Sequence, residues 1–193
     1  KMLQRIYGTA FVSKSDLEEH LTQLEEAKKR DHNKLGRELD LFMTEDSIGQ
    51  GLPLLKPKGA KVVQILQRFV EDEEEKRGYQ LTKTPFMAKS DLYKTSGHWD
   101  HYKDDMFVMG EDEEDAMALR PMTCPFQFMI YNSELHSYRD LPLRYAETSS
   151  LFRNEASGEM HGLIRVRQFT ISEGHLICTP EQLEDEFKGV VDL

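Results

Sequence analysis

The order of helix-like and strand-like segments predicts an α+β fold, a mainly antiparallel sheet flanked by helices. Two pairs of strand-like segments, 106–109 with 116–122 and 143–155 with 163–179, are each joined by a short polar turn, as in hairpins. Helical patterns intervene at 60–77 and 125–135. With ten Phe, seven Tyr and nine Met and a hydrophobic fraction of 38%, the chain can build a core although 31% of it is charged.

In chain order, Ser15 with Glu18 forms a capping-box pattern for a helix reaching Arg30, with Leu17, Leu21, Leu24 and Ala27 on one narrow stripe. Residues 30–39 are charged and contain Gly36, which weakens a helix, so residues 1–45 are read as a linker helix region and 46–193 as the domain proper. Turn-rich sequence at 49–53 and 56–59 marks the boundary. The helix over 60–77 carries Val62, Val63, Leu66, Phe69 and Val70 on its apolar side, has the acidic run Glu71 to Glu75 toward its end, and stops at Gly78. A strand over 79–85 and a short helix over 87–94 follow. The next hairpin turns through the acidic tip Gly110 to Asp115, and Pro125 suits the first turn of the helix after it. The second hairpin turns at 156–162, and Pro180 opens a last helix with Leu183 and Phe187 on its apolar side.

A length of 193 residues suits one domain, or one domain with a short appendage. Apolar stretches such as 60–66 are short and broken by charge, so no membrane helix is expected, and nothing at Lys1-Met2-Leu3-Gln4-Arg5 resembles a secretory signal. Cys124 and Cys178 make no disulfide framework. A formal charge of −10 argues, taken alone, against a general nucleic-acid-coating protein. Ten of the acidic residues lie in the two runs 71–75 and 111–115, which leaves room for local basic patches.

Strand parity carries the chemistry. Arg153 and Glu155 share one side of their strand, and Arg165, Arg167, Phe169, Ile171, Glu173 and His175 share one side of the next, provided no bulge interrupts it. One sheet face would then hold arginines, an aromatic ring, carboxylates and an imidazole; a solvent face with scattered charge is the plainer alternative. Arginines on a rigid strand hold phosphate by bidentate bonds, Phe169 offers a ring for a base, and Glu155 can accept from an exocyclic amine. No Gly-rich phosphate loop precedes a helix. Cys124, His161, His175 and Cys178 are the nearby N/S donors, but none shows a close CxxC or HxxxH pairing, and on spacing alone a buried cysteine or a satisfied histidine is the better reading of each. Cys124 differs in opening a helix, where a thiolate is favoured. His20, His98, His101 and His136 have no evident partners, and Trp99 reads as a core anchor.

Motifs along the whole chain resemble the catalytic domain of the threonyl-tRNA synthetases, a class II aminoacyl-tRNA synthetase family. They are Arg5 to Phe11, Lys34 to Phe42, Lys58-Gly59-Ala60, Ser96 to Trp99, Leu119 to Pro125, Ser137 to Arg144, Phe152 to Glu155 with Ser157-Gly158 and His161 to Leu163, and Arg165 to Thr170. The resemblance implies the N-terminal part of a class II catalytic fold in a cytoplasmic ligase. Such an enzyme activates threonine with ATP and Mg²⁺ to threonyl-adenylate and transfers it to tRNA(Thr). The stretch 60–85 corresponds to the first class motif, implying a homodimer through it. Arg153 corresponds to the catalytic arginine on the α-phosphate, Glu155 and Phe169 to adenine contacts, and Arg165 to a further phosphate ligand. Met122 and Glu173 are implied on the amino acid. Cys124 and His175 fall on two positions of a Zn²⁺ site whose third protein ligand lies outside this chain, so the isolated chain is expected to be inactive and to bind zinc weakly. The family commonly reads Gln-Asp-Asp-Ala-His where this chain has Ile171-Ser172-Glu173-Gly174-His175. Thr123 replaces a common asparagine, and Phe126-Gln127 replaces a common Gly-His or His-His pair. These departures admit two alternatives, a non-catalytic relative and a synthetase for a related small amino acid such as serine.

Overall fold

The structure is a computed structural model that describes residues 4–110 and 115–193. The reading of Lys1 to Leu3 and most of the acidic hairpin tip, 111–114, therefore lies outside the described residues. Helix α1, Lys14–Lys29, starts earlier than its capping box suggested: Ser13, not Ser15, is the cap, its hydroxyl accepting from Asp16 N. No residue of α1 is buried, in keeping with its narrow stripe. Residues 30–39 are not a plain connector. Asp31 caps a short helix α2, His32–Glu38, and Gly36 is buried because the Phe42 ring occupies the space a Cβ would need. Its lack of a side chain permits the close approach that offsets its poor propensity.

Strands β1 (Phe42–Met43) and β2 (Leu54–Leu55) pair antiparallel and lead into α3, Pro57–Lys76, with Pro in its first turn. Its C-terminal acids are partly compensated by Lys76 and Arg77, both bonded to Glu73. Strand β3, Gln80–Leu81, is shorter than expected. A strand, β4 (Met87–Lys89), begins the segment read as one helix, and the helix α4 occupies only Ser90–Thr95. A further helix α5, His98–Tyr102, follows Gly97, whose φ of 77° needs a glycine. Hairpin strands β5 (Val108–Met109) and β6 (Met117–Leu119) pair as the sequence predicted. Next come α6 (Cys124–Asn132), the long strands β7 (Leu143–Phe152) and β8 (Gln168–Ile177), and α7 (Leu183–Asp192).

Among the described residues the strands form three sheets: β1-β2, β4-β6-β5 and β3-β7-β8. Pairing is antiparallel except between β3 and β7, which bears out a mainly antiparallel α+β fold. Tyr93, Trp99, Met106, Ala116, Ala118 and Phe126 form a buried cluster that ties α4, α5 and α6 to the β4-β6-β5 sheet. Trp99 is thus the expected core anchor. No helix is long and apolar enough to cross a membrane among the described residues.

Candidate nucleotide and amino-acid site

β7 and β8 run ten residues in unbroken register, from Leu143 opposite Ile177 to Phe152 opposite Gln168. No bulge interrupts the parity, so Phe169, Ile171, Glu173 and His175 share the half-buried face of β8 with Tyr145, Glu147, Ser149 and Leu151 of β7. The ladder extends one step, because Arg153 N donates to Arg167 O at 2.9 Å. Arg153 then lies with its guanidinium carbon 5.1 Å from the Phe169 ring centre.

β8 does not reach Arg165 and β7 does not reach Glu155, whose N–H turns back to Arg153 O at 2.8 Å, contrary to the expectation of strands over 163–179 and 143–155. Chain between Gly162 and Arg167 is turn, tied by an isolated bridge between His161 and Arg165. Its backbone bonds turn locally, with Ile164 N and Arg165 N both donating to His161 O, so no regular ladder can form there. Arg165 reaches the site through this turn, and the parity rule located it by an argument that does not apply there. Arg167 is drawn away: its N–H donates to Gly51 O at 2.7 Å and its Nε to the Glu155 carbonyl at 3.1 Å.

A cleft of about 270 Å³ gathers Arg153, Glu155, Arg165 and Met122 with His98, Tyr102, Asp105 and Pro121. Arg165 Nε donates to Glu155 Oε2 at 2.7 Å and its Nη2 to Glu159 Oε2 at 3.2 Å. That bond raises the Arg165 pKa and presents both groups as one polar wall. His98 was missed as a site residue, since sequence spacing showed it no partner. Its Nδ1 is 2.8 Å from Ser96 Oγ and its Nε2 is 2.9 Å from Met122 Sδ, and burial lowers its pKa. The signal was its place in Ser96-Gly97-His98-Trp99.

Farther along β8, Glu173 Oε2 accepts from Thr123 N at 3.0 Å, and the Thr123 hydroxyl is 2.8 Å from Ser149 Oγ. Glu173 thereby fastens the start of α6 to the sheet. Cys124, half-buried, has its thiol pKa raised by burial first and by Glu173 second. The helix N-terminus does not make it a thiolate, because desolvation outweighs the local N–H groups. His175 Nδ1 lies 2.5 Å from Gln127 Oε1, and burial lowers the His175 pKa. An amide oxygen only accepts, so Nδ1 carries the proton and Nε2 keeps its lone pair.

Among the described residues no three His, Cys, Asp or Glu side chains are grouped to hold a metal. The donors present nevertheless fit zinc in kind: a thiol, and an imidazole whose other nitrogen is oriented by a second group. Both Cys124 and His175 feel the charge of Glu173.

Joined to His175 through Gln127 is a buried polar network that sequence reasoning did not single out. Arg120 donates from Nη1 to Thr84 Oγ1 (2.7 Å) and from Nε to Ser150 O (2.9 Å). Glu147 Oε2 accepts from Thr84 Oγ1 at 2.9 Å, and Gln127 Nε2 donates to Thr82 Oγ1 at 2.7 Å. A charged residue in a strand reads as exposed until its partner is located.

These features define the class first. Residues 102–193 match the model of the tRNA synthetase class II core domain (G, H, P, S and T). Over its whole length the chain is 76% identical to a threonine–tRNA ligase of Clostridium botulinum and 73% identical to one of Clostridium perfringens. It also superimposes, with a TM-score of 0.80 and 38% identity, on the structure described as the RNA-binding domain of threonyl-tRNA synthetase from Cryptosporidium parvum Iowa II. That match covers 84% of this chain and 40% of that one. Over its whole length the chain matches one segment of the threonine–tRNA ligases, with a class II synthetase core, and it spans 30% of the length of these bacterial relatives.

Proposed function

We propose that this chain supplies the ATP-binding and part of the threonine-binding surface of a threonine–tRNA ligase. The observation that carries the reading is the convergence of Arg153, Glu155, Arg165 and Met122 on one cleft, at one end of a continuous strand whose other end carries Glu173 and His175. In this reading the threonine carboxylate attacks the α-phosphorus of ATP, the bond to the bridging oxygen breaks, and pyrophosphate leaves as threonyl-adenylate forms. Arg153 holds the α-phosphate, where charge builds in the transition state. Phe169 and Glu155 take the adenine, and Arg165 leaves Glu155 in part to meet a further phosphate. Mg²⁺ accompanies ATP as part of the substrate.

Cys124 and His175 would hold zinc, which supplies a Lewis acid for the amino and hydroxyl groups of threonine. Binding by a thiol with a raised pKa releases a proton, so it strengthens with rising pH. Gln127 keeps His175 Nε2 available, while Met122 and Glu173 flank the amino acid. A polar site of this kind rejects an isostere lacking the hydroxyl.

The second surface is on α3. Val62, Leu66 and Phe69 are exposed at 49%, 58% and 62%, and Leu81 of the adjoining strand at 70%. So apolar a helix face supports a homodimer through 60–85. A cytoplasmic location and tRNA(Thr) as acceptor go with the same reading. The test is threonine-dependent ATP–pyrophosphate exchange by the full-length protein. Exchange with threonine is expected; exchange with serine instead, or with no amino acid at saturating ATP, overturns the reading.

A further inference from the structure

The turn that carries Arg165 is not held only by its own hairpin. Leu163 N donates to His32 Nε2 at 3.1 Å, across 131 residues of sequence. His32 is the first residue of α2, which Asp31 caps, so its backbone is fixed by a helix and not by a loose loop. The His32 ring lies edge-on to the His161 ring at 5.8 Å and stacks near Phe42 at 6.5 Å. Between the two anchors sits Gly162 at a φ of 51°. A Cβ on Gly162 would run into His32 Nε2 and Asn33 Oδ1, so the turn and α2 touch at a point where only glycine fits. Two residues beyond Leu163 is Arg165, itself bonded to Glu155 in the cleft.

We propose that His32 is a positioning residue for the nucleotide site, a latch whose neutral Nε2 accepts from Leu163 N–H and so sets where the turn places the Arg165 guanidinium. The latch deepens the ATP-binding reading and, for its kinetic consequence, rests on it. His32 does not line the cleft, so its effect passes through the turn. Because Arg165 is assigned to a phosphate, loss of the latch falls on ATP and spares threonine. Glutamine is the conservative substitute: its Oε1 stands three bonds from Cβ, as Nε2 does in histidine, and it accepts but cannot be protonated near neutrality.

The experiment has a structural and a kinetic arm, both on the full-length protein. In amide hydrogen exchange, Leu163 is expected to be protected in the wild type. In His32→Ala it should exchange at least about ten-fold faster, and in His32→Gln it should remain protected, with the core amide of Leu151 unchanged in all three. In threonine-dependent pyrophosphate exchange, His32→Ala should raise KM for ATP about five-fold, the weight of one hydrogen bond, leave KM for threonine within two-fold, and be restored by His32→Gln. An unprotected Leu163 in the wild type overturns the latch. So does an ATP KM that does not move in His32→Ala, or one that moves equally with the threonine KM. If the wild-type protein shows no exchange with threonine, the functional reading fails, and Leu163 protection still decides the latch by itself.

Discussion

Arg120 Nη1 donates to Glu147 Oε1 at 3.0 Å with both side chains wholly withdrawn from solvent. The pair joins the residue that follows β6 to β7, on the same sheet face as Phe169 and Glu173, since Glu147 stands opposite Glu173 in the ladder. Taking two charges out of water is costly, and the pair survives because Thr84 N and Oγ1 and the Ser150 carbonyl satisfy much of what remains. Arg120 Nη2 has no hydrogen-bond partner, and the guanidinium lies 5.0 Å from the Phe86 ring centre.

Removing one member should therefore harm more than removing both. Glu147→Ala strands a buried guanidinium and is expected to cost about 3–5 kcal/mol in urea unfolding. The double substitution Arg120→Met with Glu147→Leu should recover most of that loss. A single variant as stable as the wild type would contradict the buried geometry.

Arg153 tests the phosphate assignment. Arg153→Ala in the full-length protein should lower kcat for pyrophosphate exchange by about a hundred-fold or more, and Arg153→Lys should restore little, because an ammonium lacks the planar fork. Phe169→Ala removes the ring beneath the guanidinium as well as the proposed base platform, so it should raise KM for ATP several-fold. Steady-state kinetics with ATP varied reads both.

For zinc, the orienting bond is the sensitive part. Gln127→Ala frees the His175 ring and should weaken zinc affinity of the full-length protein about ten- to a hundred-fold, measured by competition with a chromophoric chelator. Affinity should rise with pH as the Cys124 thiol is titrated. The 193-residue chain alone should bind zinc weakly; stoichiometric, chelator-resistant zinc would overturn that expectation.

His98 supplies a pH dependence. Its folded pKa is lowered by burial from the ordinary 6.5, so below that pH the unfolded chain takes up the proton more readily than the folded one. Stability from neutral His98 is full above pH 6.5 and is lost as pH falls toward the depressed folded value. Thermal melts from pH 7.5 down to about 5 should show a steeper decline for the wild type than for His98→Asn. Parallel declines would show that His98 is not the group concerned.

The apolar face of α3 gives an assembly test. Leu66→Glu together with Phe69→Glu places charge where the proposed homodimer would bury it, and sedimentation of the full-length protein should shift from dimer to monomer. Both side chains are exposed in the single chain, so the monomer fold should be preserved.

Much of the site was legible because a strand has a period of two. Phe169, Glu173 and His175 share a face by counting alone, and the unbroken register of β7 and β8 made the count valid. The same counting placed Glu155 and Arg165 by the wrong route, because both lie beyond the ends of their strands. Turns obey no period, and the isolated bridge at His161 ends the ladder before that arginine. The segment 87–94 was read as one helix because Ser90 to Thr95 dominates its pattern; β4 forms instead because β6 offers Met87 to Lys89 a partner edge.

The sequence by itself determined the resemblance to the synthetases, the longer helices and strands, and the side chains available for phosphate, base and metal. All of these follow from local spacing or from motifs read along the chain. Only the tertiary structure decided which distant groups meet: His98 with Met122, Gln127 with His175, Arg120 with Glu147, and His32 with Leu163. Each partnership spans 20 residues or more, so it depends on how helices and sheets close on one another. Its consequences for tautomer, desolvation and orientation arise only once water has been excluded.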